Sequence, residues 1–455
     1  MSNVSLSRTI NSLDQQITTD TSLDRELFDA LLAQQRELGL LHGDRPTCPF
    51  LRPHILSRSH YQTVTRAAGI IATAFEALVE RALIDDALMN ELGLTPIEAK
   101  MARIDPGYSR LCVTSRLDAY LTQTGFQFLE YNAESPAGVG DQMQLEKLLF
   151  DLPHMRDFLA AHEHWRPEPH RRLLESLLAA YRDWGGEAER PQIGIIDWEG
   201  VATASEFTIL KQYFDSEGVP SIIADPRTLE FNGEVLKADD FRIDILYKRV
   251  IIHEFLEKSD IDHPLRRAYE QRKVCMANSF RSKVAHKKSG FAILSDPEYA
   301  SLFTTEQLEA IGSHIPWTRR VQRGPALFEG VERELPELMR SEQARLVLKP
   351  NDDYGGHGIV LGWEVSAAEW ELAIANAMTH PYVVQQRVPA GKVNISTYSD
   401  RAETVAMNID FNPFLFHNEA EGALVRLSAT SLSNVTAGGG QTALLVLEEP
   451  MSDKL

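Results

Sequence analysis

The sequence predicts a mixed α/β (α+β) chain of two or three domains, and three observations carry that prediction. Residues 1–100 are mainly helical in pattern: Leu, Ala and Ile recur at helical spacing over 24–44 and 66–92, with Ser22 or Asp24 as a cap. QIGIIDW (192–198) is a continuous apolar run, the mark of a strand buried on both faces of a parallel sheet. VLKPNDDYGGHGIVL (347–361) joins two apolar strands through three glycines, more than a plain hairpin turn requires. At 455 residues the chain can bury a large core divided among domains.

After the helical start, LCVTSRLDAYLTQTGFQFLEYN (111–132) alternates around Gly125 and reads as a hairpin. Helical spacing returns at 143–162 and 169–184. The strand at 192–198 is followed by a helix (203–217), a strand (219–224), an Asn232-Gly233 hairpin and strands at 244–250 and 274–279. This β/α alternation predicts a small doubly wound domain over 190–279. From 280 come helix, strand, glycine loop, strand, helix and several strands. GGGQT (438–442) reads as a turn leading into a strand at LLVLE.

The formal net charge is −19 and the isoelectric point about 5.2. Such a surface repels phosphate backbones, which argues against nucleic acid as a general partner but leaves room for a local basic pocket. Cys48, Cys112 and Cys275 are scattered, so neither a disulfide framework nor a zinc site is expected. Each reads as a small buried apolar residue. The first residues lack a secretory pattern and no apolar run reaches membrane-spanning length, so the expectation is a cytoplasmic protein with no membrane partner. The helical start offers either a surface for a homo-oligomer or packing for the core.

Side chains two apart on a strand share a face, so Arg116 points with Asp118, and Glu130 with Asn132. A turn about Thr124, with Gly125 left-handed, sets Asp118 opposite Glu130 and Arg116 opposite Asn132. Two facing carboxylates repel, and a divalent cation offsets that; Asp, Glu and the Asn carbonyl suit magnesium. Arg116 beside such an ion could hold a phosphoryl group. An exposed hairpin with an Arg–carboxylate pair accounts for the spacing equally well. The following AESPAG (133–138) tilts the reading towards a ligand, with Glu134 and Ser135 in a Pro/Gly-bounded loop.

Lys349 ends the strand LVLKP, where burial is costly without an anion. The glycines Gly355, Gly356 and Gly358 can turn backbone N–H groups towards phosphate oxygens. The loop lacks the G-K-[ST] ending of a Walker A motif and reads alone as a flexible hairpin. Upstream, RSKVAHKKSGFAIL offers Lys283, Lys287 and Lys288; downstream, PYVVQQRVPAG ends a strand with Gln385 and Gln386.

Taken together, FLEYNAESPAG (128–138), NSFRSKVAHKKSGFAIL (278–294), VLKPNDDYGGHGIVL (347–361) and GALVRLSATSLSNVTAGGGQT (422–442) resemble the ATP-grasp ligases in a circularly permuted form. That order is similar to glutathionylspermidine synthase and the permuted ATP-grasp type 2 proteins related to it. The resemblance implies a permuted ATP-grasp fold: a helical region at 1–100, the metal-binding hairpin plus helices at 101–189, a doubly wound pre-ATP-grasp domain at 190–279, and the ATP-grasp lobes at 280–455. It implies Mg2+ on Asp118, Glu130 and Asn132, and Arg116 and Arg426 near the reacting centre. It implies ATP on Lys349 and on a second lysine, Lys288 first because KSGFAIL fits the lysine-plus-apolar pattern, with Lys283 and Lys287 as alternatives. Gln385 or Gln386 would face adenine, the three glycines would fold over the phosphates, and Ser135, beside Glu134, would meet the substrate carboxylate.

The implied activity is ATP-dependent joining of a small-molecule or peptide carboxylate to an amine through an acylphosphate. No cysteine amidase segment and no motif for glutathione or spermidine is seen, so those substrates are not carried over. The rivals are an ATP-dependent phosphotransferase and a nucleotide-binding scaffold without turnover. An NAD domain is disfavoured because GIIDWEG (194–200) lacks the three-glycine spacing. His253 and Glu254 read as a polar strand end, and Trp198-Glu199 as the acceptor side of a sheet.

Overall fold

Alternation in 114–132 builds the first structural unit. In the computed structural model, which describes residues 3–122, 125–353, 355–398, 401–430 and 439–448, Thr114–Leu121 and Phe126–Asn132 pair antiparallel. Thr122 N–H donates to the Gly125 carbonyl at 2.8 Å, and the expected turn residue Thr124 lies outside the described residues. The ribbon edges a six-stranded antiparallel sheet with Ala402–Phe416, Glu419–Ser428, Gly440–Thr442 and Lys392–Tyr398. Leu117, Ala119, Phe128 and Tyr131 are buried, and Tyr131 meets Phe75 of the helix Arg58–Ala82 at 4.7 Å between ring centroids.

The register carries one irregularity. Asp118 faces Glu130, but Ala119 faces Phe128, so Leu129 is an unpaired bulge residue. A bulge frees a backbone group and re-aims the strand.

A second sheet orders Thr318–Arg320, Tyr382–Gln386, Leu346–Pro350 and Val360–Leu361, all antiparallel. Leu346, Leu348 and Val384 pack with Leu338 of helix Leu335–Ser341 and Trp370 of helix Ala367–Ala377. A third, parallel sheet runs Cys275–Ala277, Ile245–Lys248, Ile193–Ile196, Ser221–Ala224, in agreement with its β-branched apolar runs. Near it, Asn232 and Gly233 (φ +99°) sit in the connection between Leu229–Phe231 and Leu236–Ala238.

The amino-terminal region belongs to the common core. Leu13, Ile17 and Leu31 are buried in the same cluster as Phe128 and Phe411. His54–Ser57 lies parallel to Leu444–Leu447, which pairs on its other side with His164–Trp165. Arg52, 2% exposed, donates to both Asp14 oxygens at 2.6 and 2.9 Å, and Ser396 Oγ donates to the same carboxylate.

Several expectations shift. Asn3–Thr19 is helical although its Ser, Thr and Asn content hides the pattern. The helix expected at 66–92 starts at Arg58, capped by Ser57, and a separate helix follows at Asp86–Glu91 behind its own cap, Asp85. The helix expected at 143–162 is two, Val139–Phe150 and Pro153–Ala161, because a proline fits the first turn of a new helix better than an interior. His253 and Glu254 open the helix Ile252–Lys258 rather than ending a strand. The stretch GGGQT is not a turn: Gly440–Thr442 is a strand against Val425–Leu427, and Gly438 lies outside the described residues. Gly440 is required there, since a Cβ would stand 2.5 Å from Pro49. All three cysteines are free and buried. Among the described residues no helix is long and apolar enough to cross a membrane.

Candidate active site

The ribbon supplies the acidic side. Arg116 grips Asp118 with two N–H donors at 2.7 and 3.1 Å and donates to the Ala137 carbonyl. Asn132 Nδ2 donates to Asp118 Oδ1 at 2.9 Å. Arg426 reaches the second Asp118 oxygen at 2.7 Å and also donates to Asp410 at 2.8 Å. Asp410 faces Arg426 in the register of the neighbouring strands, so the pairing is built by the sheet itself. Asp410 was not among the sequence candidates. NIDFNPF alternates as a half-exposed strand does, and nothing in it marks one carboxylate as buried.

Electrostatics follow from this crowding. Burial pushes the Asp118 carboxyl up, but Arg116 and Arg426 outweigh burial and hold it below the usual carboxylate range. Burial raises Glu130 too, and Asp118 adds to that, yet Lys288 brings the net below normal. Asp410 is raised to about 6, by burial first and by Asp118 next, against the pull of Arg426.

The second sheet supplies the basic side. Lys349 Nζ donates to Gln385 Oε1 at 2.7 Å and to the bulged Leu129 carbonyl at 3.2 Å. The unpaired bulge residue is thus what joins the ribbon to the lysine strand. Burial lowers Lys349 to about 8, with Glu130 resisting and Lys288 adding to the fall. Lys288 stands 2.8 Å from Glu130 and donates to the Asp353 carbonyl. Lys283 and Lys287 do not join this cleft; they bind Glu98, Glu134 and Asp352.

One cleft gathers most of the expected residues: Arg116, Asp118, Glu130, Asn132, Lys349, Gly355, Gly356, Gln385, Gln386 and Arg426, with Asp410 added. Its far wall is apolar, formed by Val347, Ile359, Leu361, Trp363 and Val388, with the Arg387 guanidinium 4.3 Å over the Trp363 ring. Gln385 is committed on both sides, accepting from Lys349 and donating to Thr318 Oγ1 at 3.0 Å. Gly355, Gly356 and Gly358 have φ of +67°, +79° and +68°, the left-handed region that glycine enters freely.

A second cavity, of about 600 Å³, shares Arg116, Asn132, Gly355 and Arg426 with the first. Its outer wall comes from the carboxyl ends of the parallel strands, with Asp197, Trp198 and Arg249. Ser135 lies on this wall and donates to the Lys248 carbonyl. Glu134 borders it too, but its oxygens accept from Lys283 Nζ at 2.8 Å and Ile252 N at 2.7 Å.

The donor set fits a nucleotide and a divalent ion. Asp118, Glu130, Asn132 and Asp410 offer hard oxygen ligands, Lys349 lines the same cleft beside an apolar wall, and Lys288, outside the cleft lining, pairs with Glu130. No family model matches the sequence, and no curated protein does. Among solved structures, the chain superposes on a glutathione synthetase-like effector from Globodera pallida, in apoform, with a TM-score of 0.63 at 14% identity over 94% of this chain and 98% of that one. The two chains share a fold over nearly their whole length. A RimK domain ATP-grasp protein from Sphaerobacter thermophilus gives 0.27 at 13% identity, over 56% and 90%, a superposition too poor to argue from.

Proposed function

We propose that this protein is an ATP-dependent carboxylate–amine ligase of the ATP-grasp type, with the ATP-grasp segments circularly permuted along the chain. The observation that carries the reading is the meeting of the Asp118–Glu130–Asn132 ribbon with Lys349 in one cleft, through Leu129, with Lys288 paired to Glu130. Residues more than 200 apart in sequence converge there, acidic on one side and basic on the other.

Asp118, Glu130 and Asn132 would hold Mg2+ with ATP, which would supply the phosphoryl group for activating a carboxylate. The chain itself contributes position and charge. Lys349 and Lys288 neutralise phosphate oxygens, and the apolar wall takes the base. Arg116 and Arg426 lie between the two cavities, where charge develops as the carboxylate attacks and as the amine later adds. No side-chain nucleophile is required, since rate comes from orientation. The glycine loop closes to exclude water, which would otherwise hydrolyse the activated acid. The second cavity receives the acid and the amine, small molecules or a peptide, in an enzyme we place in the cytoplasm, and the net charge of −19 argues against nucleic acid as a partner.

The test is an ADP-release screen with Mg2+ and ATP over amino acids, small peptides and amines, with amide product measured alongside. Release that depends on both an acid and an amine, and is abolished by Glu130→Ala and by Asp118→Asn, supports the reading. Phosphorylated product without amide would make it a phosphotransferase; nucleotide binding without turnover would make it a scaffold.

A further inference from the structure

Lys283 carries a charge with no route to solvent: its side chain is fully buried. An unpaired ammonium in such a place is prohibitive, so its partners are permanent parts of the structure. Besides His253 Nδ1 at 3.4 Å, its carboxylate partners come from three remote segments. Glu134 lies at 2.8 Å, Asp352 at 2.6 Å and Glu98 at 3.8 Å. The other Glu134 oxygen accepts from Ile252 N, and the other Asp352 oxygen accepts from Lys287 at 2.5 Å.

Where these carboxylates sit gives the cluster its meaning. Glu134 follows the ribbon residue Asn132 and precedes Ser135 on the wall of the second cavity. Asp352 follows Lys349 and stands at the base of the glycine loop. Its neighbours are pinned to the same lysine segment: Lys288 N donates to the Asn351 carbonyl, Ser289 N to Asn351 Oδ1, and Lys288 Nζ to the Asp353 carbonyl. The loop is therefore fastened through 351–353, and its left-handed glycines begin at Gly355. Glu134, His286 and Asp352 bring ligand atoms within 4.8 Å of one another, as a metal site would. The ammonium groups of Lys283 and Lys287 already bind two of the three, so lysines hold together what an ion holds elsewhere.

We infer that Lys283 is a positioning residue that couples the substrate loop, 133–138, to the base of the glycine lid through Glu134 and Asp352. Its functional meaning rests on the ligase reading; the coupling itself is a property of the chain. A substrate that shifts Glu134 changes the share of Lys283 left for Asp352, and loop and lid are set together.

Amide hydrogen exchange followed by mass spectrometry on the intact protein, without nucleotide, tests it. Glu134→Gln is expected to speed exchange across 351–361 by about fivefold or more while leaving the helix Ala367–Ala377 unchanged, and Glu134→Asp, which keeps the charge, to stay close to wild type. Unchanged exchange across 351–361, or a rise of equal size everywhere, overturns the proposal. If Glu134→Gln does not fold, Asp352→Asn reads the coupling from the other end: it must speed exchange at 133–138, and silence there overturns it. Titration with Mg2+ and adenylyl imidodiphosphate then separates the two ideas. Absence of binding to wild type removes the nucleotide reading, while the exchange result still decides the coupling.

Discussion

At the scale of single residues, buried charge is the recurring device. Lys349 is 8% exposed and titrates near 8, against 10.5 for an ordinary lysine. Between those values the unfolded chain holds a proton that the folded one has released, so this residue opposes folding most at neutral pH and less as pH rises through the interval. If the proposed ligase reading holds, Lys349→Met should lower turnover by about 10²-fold while leaving the protein no less stable at pH 7. Urea melts at pH 7 and pH 9.5 check it: the advantage of the variant over wild type should shrink at the higher pH. Glu134 behaves in the opposite sense. Burial would raise it, but Lys283, His286 and Lys248 draw it down to about 2 from an ordinary 4.5. Its stabilisation is complete above about 4.5 and drains away as pH falls towards 2. The stability gap between wild type and Glu134→Gln should thus be smaller at pH 3 than at pH 7.

At the scale of elements, the ribbon and the glycine loop divide what can be read in advance from what cannot. The pairing of Asp118 with Glu130 and Arg116 with Asn132 was legible because strand side chains alternate with period two and the polar positions repeat on it. The bulge at Leu129 was not, since an apolar residue in an apolar strand gives no sign that its carbonyl will be left for Lys349. The buried role of Asp410 was hidden for a related reason: a half-polar strand looks the same whether its polar face meets water or two arginines. The separation of Lys288 from Lys283 and Lys287 depends on Glu98, nearly two hundred residues upstream, and no local pattern reports that. In the loop, Gly358→Ala would force a left-handed alanine with its Cβ 2.6 Å from the Pro350 ring. On the proposed ligase reading, the expected outcome is a loop that closes poorly, so the ratio of amide formed to ADP released should fall below that of wild type, with unfolding stability lowered by no more than about 1–2 kcal/mol.

At the scale of the whole molecule, segments far apart in sequence close on one another. The Asp14–Arg52 pair ties the first helix to the strand Lys392–Tyr398, because Arg52 also donates to the Asn394 carbonyl and Ser396 donates to Asp14. Removing one partner of a buried pair strands the other, so Asp14→Ala should cost about 3–5 kcal/mol in urea unfolding, whereas exposed pairs such as Arg25–Asp29 should contribute under about 1 kcal/mol.

The strand His54–Ser57 finds its parallel neighbour only at Leu444–Leu447. A ribosome adding about 5–20 residues each second needs tens of seconds to make the stretch between them. Throughout that interval the early strand waits in the nascent polypeptide with its hydrogen-bonding edge uncovered. Its company during synthesis must come from elsewhere, so yield in a cell should depend on chaperone supply and on translation speed more than the finished protein's stability would suggest.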